Sequence, residues 1–183
     1  AKYGADFNSL IVCGTGAANP AVGAGLKLLK MIRTFKGKDH KSKFIDKMSF
    51  GAYNDHWKPA RTPFDWLSVN KTNVDNYIAS PYCGFLFSVD GYKMLMEVNR
   101  DSNKPETFAS TPKDLPIFLI SGSDDPVGNY GADISKVEEG FKNAGVKDVS
   151  MKLYQGFRHE ILLDDCAPEV RADIVEFLAR TNK

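Results

Sequence analysis

The chain has 183 residues, 43% of them hydrophobic and 26% charged, enough apolar side chain for one globular core or one core with an elaborated insertion. A net charge of +1 gives no overall ground for a nucleic acid or an anionic surface as partner. No run approaches the roughly 18 apolar residues of a membrane span. Cys13, Cys83 and Cys166 are odd in number and far apart, with no CxxC or Cys/His spacing. Neither a metal nor a cofactor is expected, and a reducing, cytoplasmic compartment is.

In chain order, "SLIVCG" (9–14) predicts a buried strand, because a short unbroken β-branched run suits a parallel sheet covered on both faces. The interval 20–112 then breaks any strand–helix rhythm. It predicts short helices over 22–36, 40–49, 71–79 and 90–98, with turns at Pro59, Pro63, Pro81 and Pro105. Nearly a hundred residues is too long for a crossover, so the interval is expected to form a helical layer inserted into the core, which itself comprises 1–19 and 113–183. Its densest basic stretch, "FKGKDHKSKFIDK" (35–47), is broken by Asp39 and Asp46 and reads as a solvated helix face. Its aromatics, Phe50, Tyr53, Trp57, Phe64, Trp66 and Tyr77 among them, are either the layer's own core or in part the roof of an apolar pocket.

"LPIFLISG" (115–122) and "VSMKLYQG" (149–156) predict two further strands. Between them Ile134, Val137 and Phe141 share one helical face, and Gly145 supplies the stop. A last helix begins near Pro168, with Val170, Ile174, Val175 and Leu178 as its apolar stripe. The class is α/β: about three parallel strands with flanking helices.

"GTGAAN" after the first strand has Asn19 where a dinucleotide fingerprint needs its third glycine, and Asp39 lies in a basic helical stretch. "HEILLDD" has Leu163 where a metalloprotease helix needs its second histidine, and "DDPVGNYGAD" lacks the acid spacing of a calcium loop. What remains is an acid and a histidine at successive strand ends. Asp125 follows 115–121 and His159 follows 149–154, where side chains from adjacent strands about 5 Å apart can meet. The acid would orient the imidazole, and the imidazole would act as base and then acid. Asp124 competes for the first role; His40 and His56, in the insert, are expected at the surface.

"LISGSDDPVGNYG", "VKDVSMKLYQGFRHEIL" and the insert's "SFGAYNDHWKPARTPFDWLS" and "VDNYIASPYCGF" resemble the C-terminal part of α/β-hydrolase-fold serine hydrolases. The similarity is to the lysophospholipase and monoacylglycerol-lipase-like group, which includes serine aminopeptidase-type hydrolases, and it covers essentially the whole chain. It implies a Ser-Asp-His triad with Asp125 as acid, His159 as base and 20–112 as lid. It also implies a small ester or lipid-like substrate. Trp57, Trp66, Met94 and Met96 of the lid suit an apolar one.

The departure is that no G-x-S-x-G occurs in the chain. Ser121 and Ser123 lie in the acid's own loop and lack the strand-to-helix turn that exposes a nucleophile. The nucleophile and oxyanion hole are therefore expected upstream, with "AKYGADFN" as the tail of the helix after the elbow. The 9–14 strand is then an apolar edge that needs the missing N-terminal half or a pairing partner. Three functions follow as alternatives: a carboxylic ester hydrolase, a peptidase of the same fold, or a binding or scaffold module that kept the pocket without the chemistry.

Overall fold

The computed structural model describes residues 3–181. Three strands, Leu10–Cys13 (β1), Ile117–Gly122 (β2) and Val149–Tyr154 (β3), form a parallel sheet in the order β1-β2-β3. Leu10 lies opposite Ile117, and Ile117 opposite Val149, so the three strands run in step to one common end. Every residue of β2 is buried, which is why its sequence is a continuous apolar run and not an alternation.

Side chains on β2 alternate between two helical layers. Ile117 and Leu119 face helix Ala132–Asn143 (α6), meeting Ile134, Val137 and Phe141. Phe118 and Ile120 face helix Ala167–Thr181 (α7), meeting Val170 and Phe177. Each fully buried side chain of this kind contributes about 1.5–3 kcal/mol of transfer free energy. One expectation for α7 fails. Val175 is 65% exposed, and Phe177, outside the expected stripe, is buried instead. The seam of α7 follows positions 167, 170, 174, 177 and 178, so position 175 turns to water.

The segment 20–112 carries helices Val22–Lys36 (α1), Lys43–Phe50 (α2), Lys71–Ala79 (α3), Val89–Ser102 (α4) and Pro105–Ala109 (α5). Single 3-10 turns stand at Asp55–Trp57 and Asp65–Leu67. α2 starts three residues later than its pattern suggests, because the Ser42 hydroxyl caps it by accepting from Ile45 N–H at 3.4 Å. α4 runs past position 98, where the Ser102 and Asn103 side chains satisfy the Asn99 carbonyl. α5 has no counterpart in the sequence reading. It begins on Pro105, and its Phe108 packs edge-on to Phe141 of α6 at 5.0 Å.

Leu29, Ile45, Val89 and Tyr92, with Ile32, Phe50 and Met96 against them, give the α1–α2–α4 cap its own small core. Within the described residues the expected helix tail at the start of the chain is one 3-10 turn, Gly4–Asp6, since Phe7 is already extended. Ala1 and Lys2 lie outside the described residues. No described helix is long and apolar enough to cross a membrane.

Candidate functional site

β2 and β3 end side by side, and the loops beyond them are laced together. Ser123 N–H donates to the Tyr154 carbonyl at 2.9 Å, Asp124 N–H to Phe157 O at 2.9 Å, and Gly156 N–H to Ser123 Oγ at 2.8 Å. This is possible because residue 122 is glycine. A Cβ there would run into the carbonyl oxygens of Phe157 and Arg158, so any side chain would push the two loops apart. The approach delivers Asp125 and His159 to each other, with Nδ1 of the imidazole 2.9 Å from Oδ2 of the carboxylate.

The Asp125 side chain is fully buried, and a buried carboxylate is tolerable only when hydrogen bonds replace its water. Oδ1 accepts from Val127 N–H at 2.8 Å. Oδ2 accepts from the Ser121 hydroxyl at 3.2 Å as well as from the imidazole. Held by a loop amide and by a hydroxyl on β2 itself, the carboxylate cannot turn away. It fixes the proton on Nδ1 and leaves the lone pair on Nε2, the tautomer a general base needs. The histidine side chain keeps 29% of its surface open. It sits over the tip of β1 too, since a Cβ on Gly14 (φ +59°) would come within 3.1 Å of its Cε1.

Asp124 does not take part. It accepts from Ser123 Oγ at 2.8 Å. The hydroxyls of Ser121 and Ser123 are thus committed to Asp125 and to the loop lacing. Cys13, at the end of β1, is exposed, and burial of part of its surroundings and then the Asp125 charge push its thiol up from the ordinary value.

The cap reaches this pair with aromatic rings. Trp66 lies against the imidazole at a centroid distance of 5.4 Å, and Tyr53 packs edge-on to Trp66 at 4.9 Å. Burial and then the Asp125 charge raise the Tyr53 phenol above its ordinary value. Trp57 stacks under the Arg158 guanidinium at 4.2 Å. Its neighbour His56, although exposed, stacks on Tyr130 of the acid's loop at 4.2 Å, so it is not an idle surface group.

Met94 and Met96 are not brought to the pair. Met94 is 66% exposed on α4, and Met96 fills the seam between α4 and α1 where Gly25 leaves room. Both are cap residues by position in sequence, but their sides of α4 point elsewhere.

Polar ties that the sequence did not announce hold the cap to the histidine loop. Glu160 N–H donates to Leu67 O at 2.8 Å, and Asn73 Nδ2 to Glu160 Oε2 at 2.7 Å. Asp164, 4% exposed, accepts from Val69 N–H at 2.9 Å and from Asn70 N–H at 3.2 Å. Arg158 donates to the carbonyls of Asp65 and Ser68. Nothing in residue type separates these from ordinary surface charges; only the meeting of distant segments does.

The sheet and its flanking helices have counterparts among known proteins. A carboxyl esterase from Bacillus coagulans, solved in complex with glycerol, superposes with a TM-score of 0.90 at 26% identity, covering 98% of this chain and 58% of its own. A lipase in its open form gives 0.85 at 24% identity, over 96% of this chain and 57% of that one. A soluble variant of the monoglyceride lipase of Saccharomyces cerevisiae gives 0.68 at 16% identity, over 99% and 56%. The fold is therefore part of an α/β-hydrolase, and the chain spans a little over half the length of these structures. A search of the curated proteins finds no match. Residues 1–166 match the family described as serine aminopeptidase, S33, and the chain belongs to that family.

Proposed function

We propose that the protein containing these 183 residues is a carboxylic ester hydrolase working through an acyl-enzyme. His159 serves as base and then acid, and Asp125 as the group that orients it. The observation that carries this reading is the 2.9 Å contact of a fully buried, three-donor carboxylate with Nδ1 of a part-open imidazole at the common end of the sheet.

The chemistry follows from that geometry. Nε2 takes the proton of an attacking hydroxyl while the hydroxyl oxygen adds to the ester carbonyl. The imidazolium is stabilised by the Asp125 charge beside it, and it returns the proton to the departing alkoxide. Water then repeats the sequence on the acyl group. The serine and the oxyanion donors are assigned to sequence outside these residues, since the chain has no G-x-S-x-G. β1 is hydrogen-bonded only to β2 among the described residues, with Leu10 exposed, and the strand that presents the serine would pair along its other edge.

Trp66, backed by Tyr53, covers the imidazole with apolar surface, which favours an ester with an acyl or lipid-like chain over a charged peptide end. Fluorophosphonate labelling tests the assignment. The full-length protein labels at one serine, the His159→Ala form labels far more slowly, and the 183-residue chain does not label. Turnover of p-nitrophenyl esters well above that of aminoacyl anilides marks the esterase. The reverse preference marks a peptidase, and labelling that ignores His159 sinks the assignment.

A further inference from the structure

The residues on either side of His159 are both fastened to one turn of the cap. Arg158 Nη1 donates to the Asp65 carbonyl and, at 3.2 Å, to the Ser68 carbonyl. Glu160 N–H donates to Leu67 O at 2.8 Å. Between those points the 3-10 turn Asp65–Leu67 presents Trp66, the ring that lies against the imidazole. Residues 158, 159 and 160 thus each meet the segment 65–68. The tryptophan falls on the histidine because its neighbours are tied to the histidine's neighbours.

The turn is shaped to hold that ring still. Asn54 Oδ1 accepts from Trp66 N–H at 2.8 Å, while its Nδ2 donates to Thr62 O at 2.9 Å. The Asp65 carboxylate accepts from the Arg61 and Thr62 amides at 2.6 and 3.1 Å and from the Thr62 hydroxyl at 2.6 Å. Tyr53 backs Trp66, and Phe50, packed on the cap core, backs Tyr53 at 5.6 Å. Arg158 completes the arrangement at a cost in hydration: its Nε is buried with no acceptor among the described residues, and its guanidinium lies over Trp57. A lysine would offer the charge but not the flat surface that stacks on an indole.

One hydrogen bond to Asp125 fixes Nδ1 but lets the imidazole rock about it, and Nε2 is the atom that must meet the nucleophile's proton. A contact on the ring's face stops the rocking. We infer that Arg158 is a positioning residue for the general base: by holding the turn Asp65–Leu67 to the base's own loop, it keeps Trp66 against the imidazole and so sets where Nε2 points. This inference rests on the assignment of His159 as base. The turn is cap by position in the chain and catalytic support by contact.

Kinetics of the full-length protein on a short p-nitrophenyl ester test it, with His159→Ala measured alongside. Arg158→Gln should lower kcat by about thirtyfold with KM within about threefold, as for a base displaced by under about 1 Å. Arg158→Lys should recover little of the loss. In a Trp66→Ala background, where kcat is already low, Arg158→Gln should cost less than about threefold more, since both changes remove the same support. Thermal midpoints show which variants fold. If Arg158→Gln does not, Trp66→Phe against Trp66→Ala decides: the phenyl ring should keep kcat within about threefold of the unaltered protein, and alanine should lose about tenfold or more. Full turnover by His159→Ala overturns the base assignment and this inference together. With His159→Ala inactive, the inference alone is overturned by an undiminished kcat in folded Arg158→Gln, by a rise in KM alone, by a full second loss in the Trp66→Ala background, or by equal kcat in the two Trp66 variants.

Discussion

The two strand-end loops and the cap solve the same problem, holding side chains in place beyond a sheet, by different means. The loops after β2 and β3 are fastened by backbone hydrogen bonds to each other and stand on a strand buried along its whole length. The cap has a core of four fully buried side chains and meets the histidine loop through a few polar ties and stacked rings. Groups that must keep a fixed geometry sit on the first kind of support. Groups that wall the pair come from the second, which a few lost hydrogen bonds would loosen.

That contrast breaks most visibly at the acid itself. In the full-length protein Asp125→Asn should lower kcat by about 10⁴-fold with little change in stability, because the amide cannot hold the proton on Nδ1. Steady-state kinetics beside thermal unfolding would show it, and a loss below tenfold would mean that Asp125 does not orient His159.

Gly122→Ala tests the lacing of the loops. With two carbonyl oxygens in the way of the new methyl group, the loops must separate, and a loss of about 3 kcal/mol in urea unfolding is expected. Activity should fall further than stability accounts for.

Asp164→Ala acts on the cap ties. It leaves the Val69 amide without its acceptor, while the Asn70 amide keeps only the Ser68 hydroxyl at 3.0 Å, which costs about 1–3 kcal/mol. Limited proteolysis should cut faster within 60–75 while amide exchange in β2 is unchanged; equal loosening of both regions would erase the distinction drawn here.

Ser121→Ala is the smallest change. Removing one donor to Oδ2 should lower kcat by about five- to tenfold at constant KM, and Ser121→Thr should restore part of it. A change in KM alone would make Ser121 a packing residue.

The core was legible because its signals are local. "PIFLIS" could only be a strand covered on both faces, Ile134, Val137 and Phe141 are buried as their spacing requires, and Gly145 ends α6 with φ of +88°. Val175 misled because several registers of an apolar stripe fit α7, and packing against Phe118 chose the one that contains Phe177. In the cap the sequence supplied aromatics without addresses. Trp66 reached the imidazole, Trp57 reached Arg158, and Met94 and Met96 reached neither. Helical periodicity says which residues share a side of a helix, not where that side points.

By itself, then, the sequence determined the parallel α/β core, the placement of Asp125 and His159 at successive strand ends, and the absence of a serine elbow from these residues. Those facts depend on strand periodicity, on residues a few positions from a strand's end and on a motif that can be searched for. Only the tertiary structure decided that Ser121 shares the carboxylate, that Asp164 and Arg158 moor the cap, and that Trp66 meets the imidazole from a turn bonded to both neighbours of His159. Those depend on which distant side chains come within a few ångströms of one another, and chain folding sets such distances, not spacing along the chain.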